Sequence, residues 1–149
     1  MATVKNFDRS MIKNYLTRKE YKFLVDSDGD FLIKFAYDPD YACQMSVYLI
    51  VTGSKQDVYS VRIMTDKRIP KSDWGKALML CNTWNKERRW PTAYLKVNDP
   101  DRDPIGTIEL NYNLDLEQGI HQELLDDFTS IIISTGDAFW TWAHKEQGL

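Results

Sequence analysis

Asp26-Ser27-Asp28-Gly29-Asp30 sets three carboxylates within five residues, which is how a calcium-binding loop begins. Such a loop needs glycine at its sixth position and glutamate at its twelfth. Those positions are Phe31 and Tyr37, and alternating strand-like runs flank the segment where a calcium loop has helices. Asp-Gly between two alternating runs is hairpin chemistry, so the segment reads as a turn and no metal site is assigned to it. The two histidines, His121 and His144, fall in no HExxH pattern and near no cysteine at ligand spacing. Cys43 and Cys81 lie far apart without a CxxC neighbour, and read as buried, unbridged thiols of a reduced compartment. Cys81 and His121 could be imagined as nucleophile and base, but any chain with those residue types permits as much. The glycines are scattered singly, so no phosphate-cradling loop, dinucleotide fingerprint or nucleophile elbow is present, and no cofactor is expected.

Ser72–Tyr94, SDWGKALMLCNTWNKERRWPTAY, gathers residues of a different kind. It reads as a helix capped by Ser72 and a strand, joined through Trp90-Pro91. At 100° per residue, Trp74, Ala77, Leu78, Cys81 and Trp84 share one arc, and Asn85 and Arg88 fall inside it. One reading is structural: Asn85 and Arg88 tie the helix end to the Trp90-Pro91 connection, with Asn85 mostly buried and its amide bonded to nearby backbone. Lys86, Arg88 and Arg89 then complement the negative end of the helix dipole. The other reading is a recognition spot, in which Trp84, Asn85, Arg88, Arg89 and Trp90 meet an acidic peptide or ligand, since aromatics and arginine concentrate in binding hot spots. A net charge of −3 argues against nucleic acid as the partner.

The elements that position these residues follow from periodicity. Phe7, Met11, Ile12, Tyr15 and Leu16 recur at helical spacing behind Asp8, a good N-cap. Alternation predicts strands near Tyr21–Val25, Phe31–Tyr37, Cys43–Thr52 and Val58–Thr65. Ile69-Pro70-Lys71 ends the last of these. Strands near Thr92–Val97 and Ile105–Leu114 follow Pro91, then a helix near Gln118–Glu146 closes the chain. The order α-β-β-β-β-α-β-β-α, with short turns between successive strands, implies an antiparallel α+β fold. The length of 149 residues suits one domain over residues 1–149.

The last helix carries the remaining candidate surface. With Phe128 at the origin of a wheel, Leu124, Leu125, Ile131, Ile132, Phe139 and Trp142 cluster within about 60° and are expected to cover the sheet. Ile133 and Trp140 stand off this stripe, with Thr129 and Gly136 beside them. Two readings fit. Either the helix is sunk deeper than its main stripe suggests and the first helix covers this flank, or Ile133, Gly136 and Trp140 form a self-association surface, such as that of a C2 homodimer. No apolar run approaches the roughly 20 residues of a membrane span. Residues 1–10 lack an apolar signal core, so a cytoplasmic protein is expected, with no membrane partner.

Cys81-Asn82-Thr83-Trp84-Asn85-Lys86-Glu87-Arg88-Arg89-Trp90-Pro91-Thr92-Ala93-Tyr94 resembles the YbjN family of bacterial sensory transduction regulators, with that family's asparagine–tryptophan–asparagine helix end followed by proline. Tyr21–Asp30, Leu116-Glu117-Gln118-Gly119 and Phe139-Trp140 add to the likeness, which covers nearly the whole chain. The resemblance implies an α+β fold similar to class I type III secretion chaperones, which are small, acidic, dimeric proteins that bind other proteins. It implies no catalytic residues. The expectation is therefore a non-enzymatic, chaperone-like module that binds a protein partner. A sensory module holding a small ligand is the first rival and an enzyme the second.

Overall fold

The computed structural model describes residues 3–149. Helix α1, Arg9–Arg18, starts at Asp8, whose carboxylate accepts the Ser10 amide N–H at 2.9 Å. Strands β1, Leu24–Val25, and β2, Phe31–Lys34, form the hairpin expected at Asp26–Asp30, with Gly29 at φ +86° in the tight turn. Strands β3, Met45–Thr52, and β4, Val58–Thr65, pair along their full length, Met45 across from Thr65. Ile69–Pro70 makes a two-residue strand, β5, that sequence alternation does not reveal. Helix α2, Trp74–Glu87, strands β6, Thr92–Asp99, and β7, Asp103–Asp115, and helix α3, Gln122–Lys145, complete the fold.

All seven strands join one antiparallel sheet. Leu110 of β7 pairs with Ile63 of β4 and Ala93 of β6, while Gly106 pairs with Ile69 of β5 and Val97 of β6. Strands β4 and β5 therefore lie in line along one edge of β7, and β6 lies along the other. This leaves β1 and β6 at the rims of the sheet.

The helices cover a single face. Met45, Val47, Leu49 and Val51 of β3, Tyr59, Val61 and Ile63 of β4, and Ile108 and Leu110 of β7 point toward them, all buried. Helix α3 lies in the middle. On one side α1 meets it through Tyr15 Oη and Ser130 Oγ (3.0 Å), Gln122 Nε2 to the Met11 carbonyl (2.8 Å), and the Arg18–Asp126 ion pair. On the other side Trp84 of α2 sits edge-on to Phe139, with ring centroids 5.1 Å apart. Among the described residues, the opposite face of the sheet carries no helix.

Both helix wheels are corrected by the packing. In α2 the buried residues are Ala77, Leu80, Cys81 and Trp84, and Leu78 is exposed. Ser72 does not cap this helix. A 3-10 turn over Lys71–Asp73 leads into it, and the Trp74 indole N–H donates to the Ile69 carbonyl at 3.1 Å, anchoring the entry.

In α3 the buried set is Leu125, Thr129, Ile132, Ile133, Gly136, Phe139, Trp140 and Ala143. That arc centres on Gly136, about 80° round from Phe128, and leaves Leu124 and Ile131 exposed. The self-association surface is thus overturned: Ile133, Gly136 and Trp140 face the sheet, with Trp140 at 0% exposure. The cause is the glycine. A β-carbon on Gly136 would lie 2.3 Å from Ile63 Cδ1, so the helix presents its smallest residue where it approaches the strands most closely. Trp140→Ala is expected to cost about 3–5 kcal/mol in urea denaturation. Trp140→Glu should lose native circular dichroism rather than yield a folded monomer.

Candidate functional site

The C-terminal turn of α2 is held by three interactions. Trp84 is almost wholly buried against Phe139 and Trp142, and its indole N–H donates to the Pro91 carbonyl at 2.9 Å. The Trp90-Pro91 peptide is cis. Arg88 ends the helix in extended conformation, its amide still donating to the Trp84 carbonyl at 2.8 Å.

The third tie is Asn85. Its Nδ2 donates to the Ala93 carbonyl at 3.0 Å, and its Oδ1 accepts the Ala93 N–H at 2.9 Å. Ala93 belongs to the rim strand β6, and these are the main-chain groups that point away from β7. The carboxamide therefore pairs with β6 as a neighbouring strand would, and closes that part of an otherwise open edge. The expected backbone bonds of Asn85 are present, but the expected burial is not: the residue is exposed. It lies on the flank of α2 beside the sheet edge, where it can reach β6 in plane.

Beside this anchor, a cavity of about 450 Å³ lies between the end of α2 and the middle of α3. Trp84, Arg88, Arg89 and Trp90 line it, together with Lys86, Glu87, Thr135 and Ala138. Four of the five residues singled out from the sequence thus share one concavity, and Asn85 is not among its lining. The Arg88 guanidinium lies 5.2 Å from the Trp84 ring centroid, a cation–π contact. Trp90 is half-buried, edge-on to Tyr112 at 6.0 Å. Among the described residues, none of Lys86, Arg88 and Arg89 forms an ion pair. Thr135 and Ala138 escaped the sequence reading because they come from a different helix, far along the chain; small residues one turn apart on α3 were the available signal. The Thr135 hydroxyl donates to the Ile131 carbonyl, so it offers the cavity an acceptor.

The other groups weighed for chemistry are engaged elsewhere. Asp26, Asp28 and Asp30 bring carboxylate oxygens within 4.8 Å of one another. Asp26 Oδ1 accepts the amides of Asp28 and Asp30, and Asp30 Oδ1 accepts the Val51 amide. Arg9 donates to the Gly29 and Asp28 carbonyls and pairs with Asp30, so a protein cation already serves this turn. Cys81 is buried, which pushes its thiol up to about 12, far from a nucleophile's range. His121 caps α3, with Nδ1 accepting the Leu124 amide.

The family model named YbjN, described as "Putative bacterial sensory transduction regulator", matches residues 8–145. Among solved structures, the chain is similar to the crystal structure of "YbjN, a putative transcription regulator from E. coli". The TM-score is 0.77 at 12% identity, over 97% of each chain. At that identity the likeness is one of fold. A comparison with curated proteins finds no match.

Asn85→Ala removes both bonds to Ala93 and should destabilise the protein by ~1–3 kcal/mol, read by chemical denaturation. Calorimetric titration with calcium should show nothing tighter than about millimolar at Asp26–Asp30. The Cys81 thiol should resist a disulfide reagent near pH 8 in the native protein and react only on unfolding.

Proposed function

The chain belongs to the YbjN family, and we propose that it is a non-enzymatic, chaperone-like regulatory module that binds a protein partner at the Trp84–Trp90 end of α2. The observation that carries this reading is the pairing of a ready-made concavity with unpaired cations. Lys86, Arg88 and Arg89 surround aromatic walls, and Glu87 is the sole carboxylate in the lining. An acidic peptide segment bearing an apolar or aromatic residue fits such a site: its carboxylates meet the arginines, and its side chain meets Trp84 and Trp90. The walls are pre-organised, because Trp84 and Asn85 fasten the helix end to β6 before any partner arrives. Little ordering cost is then left for binding.

A cavity of about 450 Å³ is also within the range of small-molecule sites, which supports a sensory module holding an anionic ligand as the second reading. An enzyme is disfavoured because the cavity lining holds no nucleophile–base pair. No helix among the described residues is long and apolar enough to cross a membrane.

The charge-reversed double variant Arg88→Glu, Arg89→Glu tests the proposal. Both side chains are exposed, so the variant should stay folded, with a stability loss of about 1–2 kcal/mol for the lost cation–π contact and the unfavourable charge at the helix C-terminus. It should lose capture of the partner recovered by affinity purification from the native host, and lose retention on immobilised acidic peptides. Undiminished capture by the folded variant would refute this site. Loss of a small-molecule thermal shift without any loss of protein capture would favour the sensory reading.

A further inference from the structure

The two rims of the sheet are finished differently. Along β6 the outward main-chain groups of Ala93 are taken by the Asn85 carboxamide. Leu95 and Val97 turn the same way, but Lys96 stands between them, half-exposed and paired with Glu109 at 3.1 Å. A break in register between Val97 and Asp99 then ends the straight edge. If two copies paired along β6 with Leu95 against Val97, their Lys96 side chains would face each other, and like charges directly opposite are destabilising. A covered position, an edge lysine and a bulge are the devices that keep rim strands from pairing.

The β1 rim has none of them. Leu24 pairs with Leu32, and two residues on the Asp26 amide donates to the Asp30 carbonyl at 2.9 Å. Hydrogen-bonded pairs alternate along an antiparallel ladder, so Leu24 turns its main-chain groups toward β2 while Phe23 and Val25 turn theirs outward. Among the described residues, no main-chain bond from a turn, loop or cap reaches Phe23 or Val25. Leu24 and Val25 are 59% and 57% exposed, although both are large and apolar. Lys22 and Asp26 bracket this edge, and neither forms an ion pair among the described residues.

We propose that β1 is a self-association edge, where a second copy of this chain adds antiparallel about a two-fold axis at Leu24. The order of residues along the edge selects a second copy. With Leu24 opposite the second copy's Leu24, Phe23 of each copy meets Val25 of the other, and each such pair exchanges both N–H···O bonds. The two Leu24 residues occupy the close, non-hydrogen-bonded position, with Cα atoms about 4.5 Å apart, so their exposed side chains cover each other. In the same register Lys22 of each copy stands opposite Asp26 of the other, and both bracketing charges are matched. The flanks agree in sign: Lys19 and Lys22 outnumber Glu20 on one side, and on the other Asp26, Asp28 and Asp30 outnumber Arg9. A concavity of about 180 Å³ beside this edge is lined by Lys22, Phe23, Leu24, Leu32 and Lys34, with no carboxylate to repel the second copy's Asp26. The contact is the same patch on both copies, so it closes as a C2 dimer. It is small, and the dimer therefore dissociates on dilution. The edge lies at the rim remote from α2 and is independent of the Trp84–Trp90 cavity.

Analytical ultracentrifugation of the whole chain from roughly 10 µM to 1 mM should show the mass rising toward that of a dimer. Over the same range, hydrogen exchange at the Phe23 and Val25 amides should slow by about threefold or more, and exchange at Leu95 and Val97 should not change. Leu24→Asp and Leu24→Lys each place like charges across the axis, so each alone should stay monomeric, and an equimolar mixture should dimerise again. A wild-type chain that is monomeric at about 1 mM overturns the proposal, whether or not the variants fold. So does a dimer undiminished in either variant, or a mixture of folded variants that stays monomeric. Protection that arises at Leu95 and Val97 instead moves the contact to β6 and also overturns it. A monomeric wild type whose Phe23 and Val25 amides are protected only by an added alternating Glu-Leu peptide assigns the edge to a different chain.

Discussion

Gly136 resting on Ile63 sets the depth of α3, and the depth of α3 sets nearly everything else. A seven-stranded sheet with helices on one face must bury that face under a small number of side chains. Here the backbone of the middle helix comes down to the strands at one residue, and Phe139 and Trp140 wedge in beside it, both at 0% exposure. Thr129 can be buried in the same arc only because its hydroxyl is spent, donating to the Leu125 carbonyl and bonded to Tyr59 Oη at 2.7 Å. A helix held this close leaves two shoulders. Helix α1 takes one, through Tyr15 and Arg18, and α2 takes the other, through Trp84.

The candidate site is a product of that second shoulder. Phe139 is fixed by the core, Trp84 stands edge-on to it, and the Trp84 indole holds the Pro91 carbonyl. Asn85 then fastens the same turn to β6. Two residues adjacent in sequence thus point roughly 100° apart, one into the core and one along the sheet edge. The basic run that follows has nowhere to go but the groove between α2 and α3. Its charges stay unpaired because the aromatic walls around them leave Glu87 as the only acid there. The structural reading accounts for Asn85 and Trp84, which hold the turn, and Arg88, Arg89 and Trp90 are the residues the turn leaves lining the cavity, where the proposed recognition would act.

Strands were easier to read from sequence than helix faces. Val58–Thr65 appears at the expected bounds, since in a sheet covered on one side the alternation Tyr59, Val61, Ile63 is enforced by a period of two. Helix wheels failed for a definite reason. Averaging apolar residues places the core direction where side chains are largest, but α3 is nearest the sheet where its side chain is absent. The wheel therefore pointed at Phe128 instead of Gly136, and left Trp140 off the main stripe, open to either a sunk flank or a self-association surface. In α2 a similar rotation exchanged Leu78 for Leu80, because the anchoring bonds of Asn85 and Trp74 turn the helix independently of its hydrophobic average. Strand β5 was hidden because two residues carry no period, and the cavity was only half legible because Thr135 and Ala138 join it through tertiary packing alone.

One-sided coverage has a last consequence, for where charge can sit. On the helical face most buried polar groups are paired internally, as Thr129 and Tyr59 are, although the Trp140 indole N–H is not. On the open face longer polar side chains lie down over the strands and shield one another, which is how Glu109 becomes 5% exposed with no helix above it. Burial there comes from neighbours such as Tyr94 and Lys96, both of which also bond to its carboxylate. Arg62 receives the same shielding from its neighbours without receiving an acceptor. A buried guanidinium edge that the fold has not paired is a cost to its stability, and it falls on the face where shielding comes from neighbouring side chains rather than from a helix.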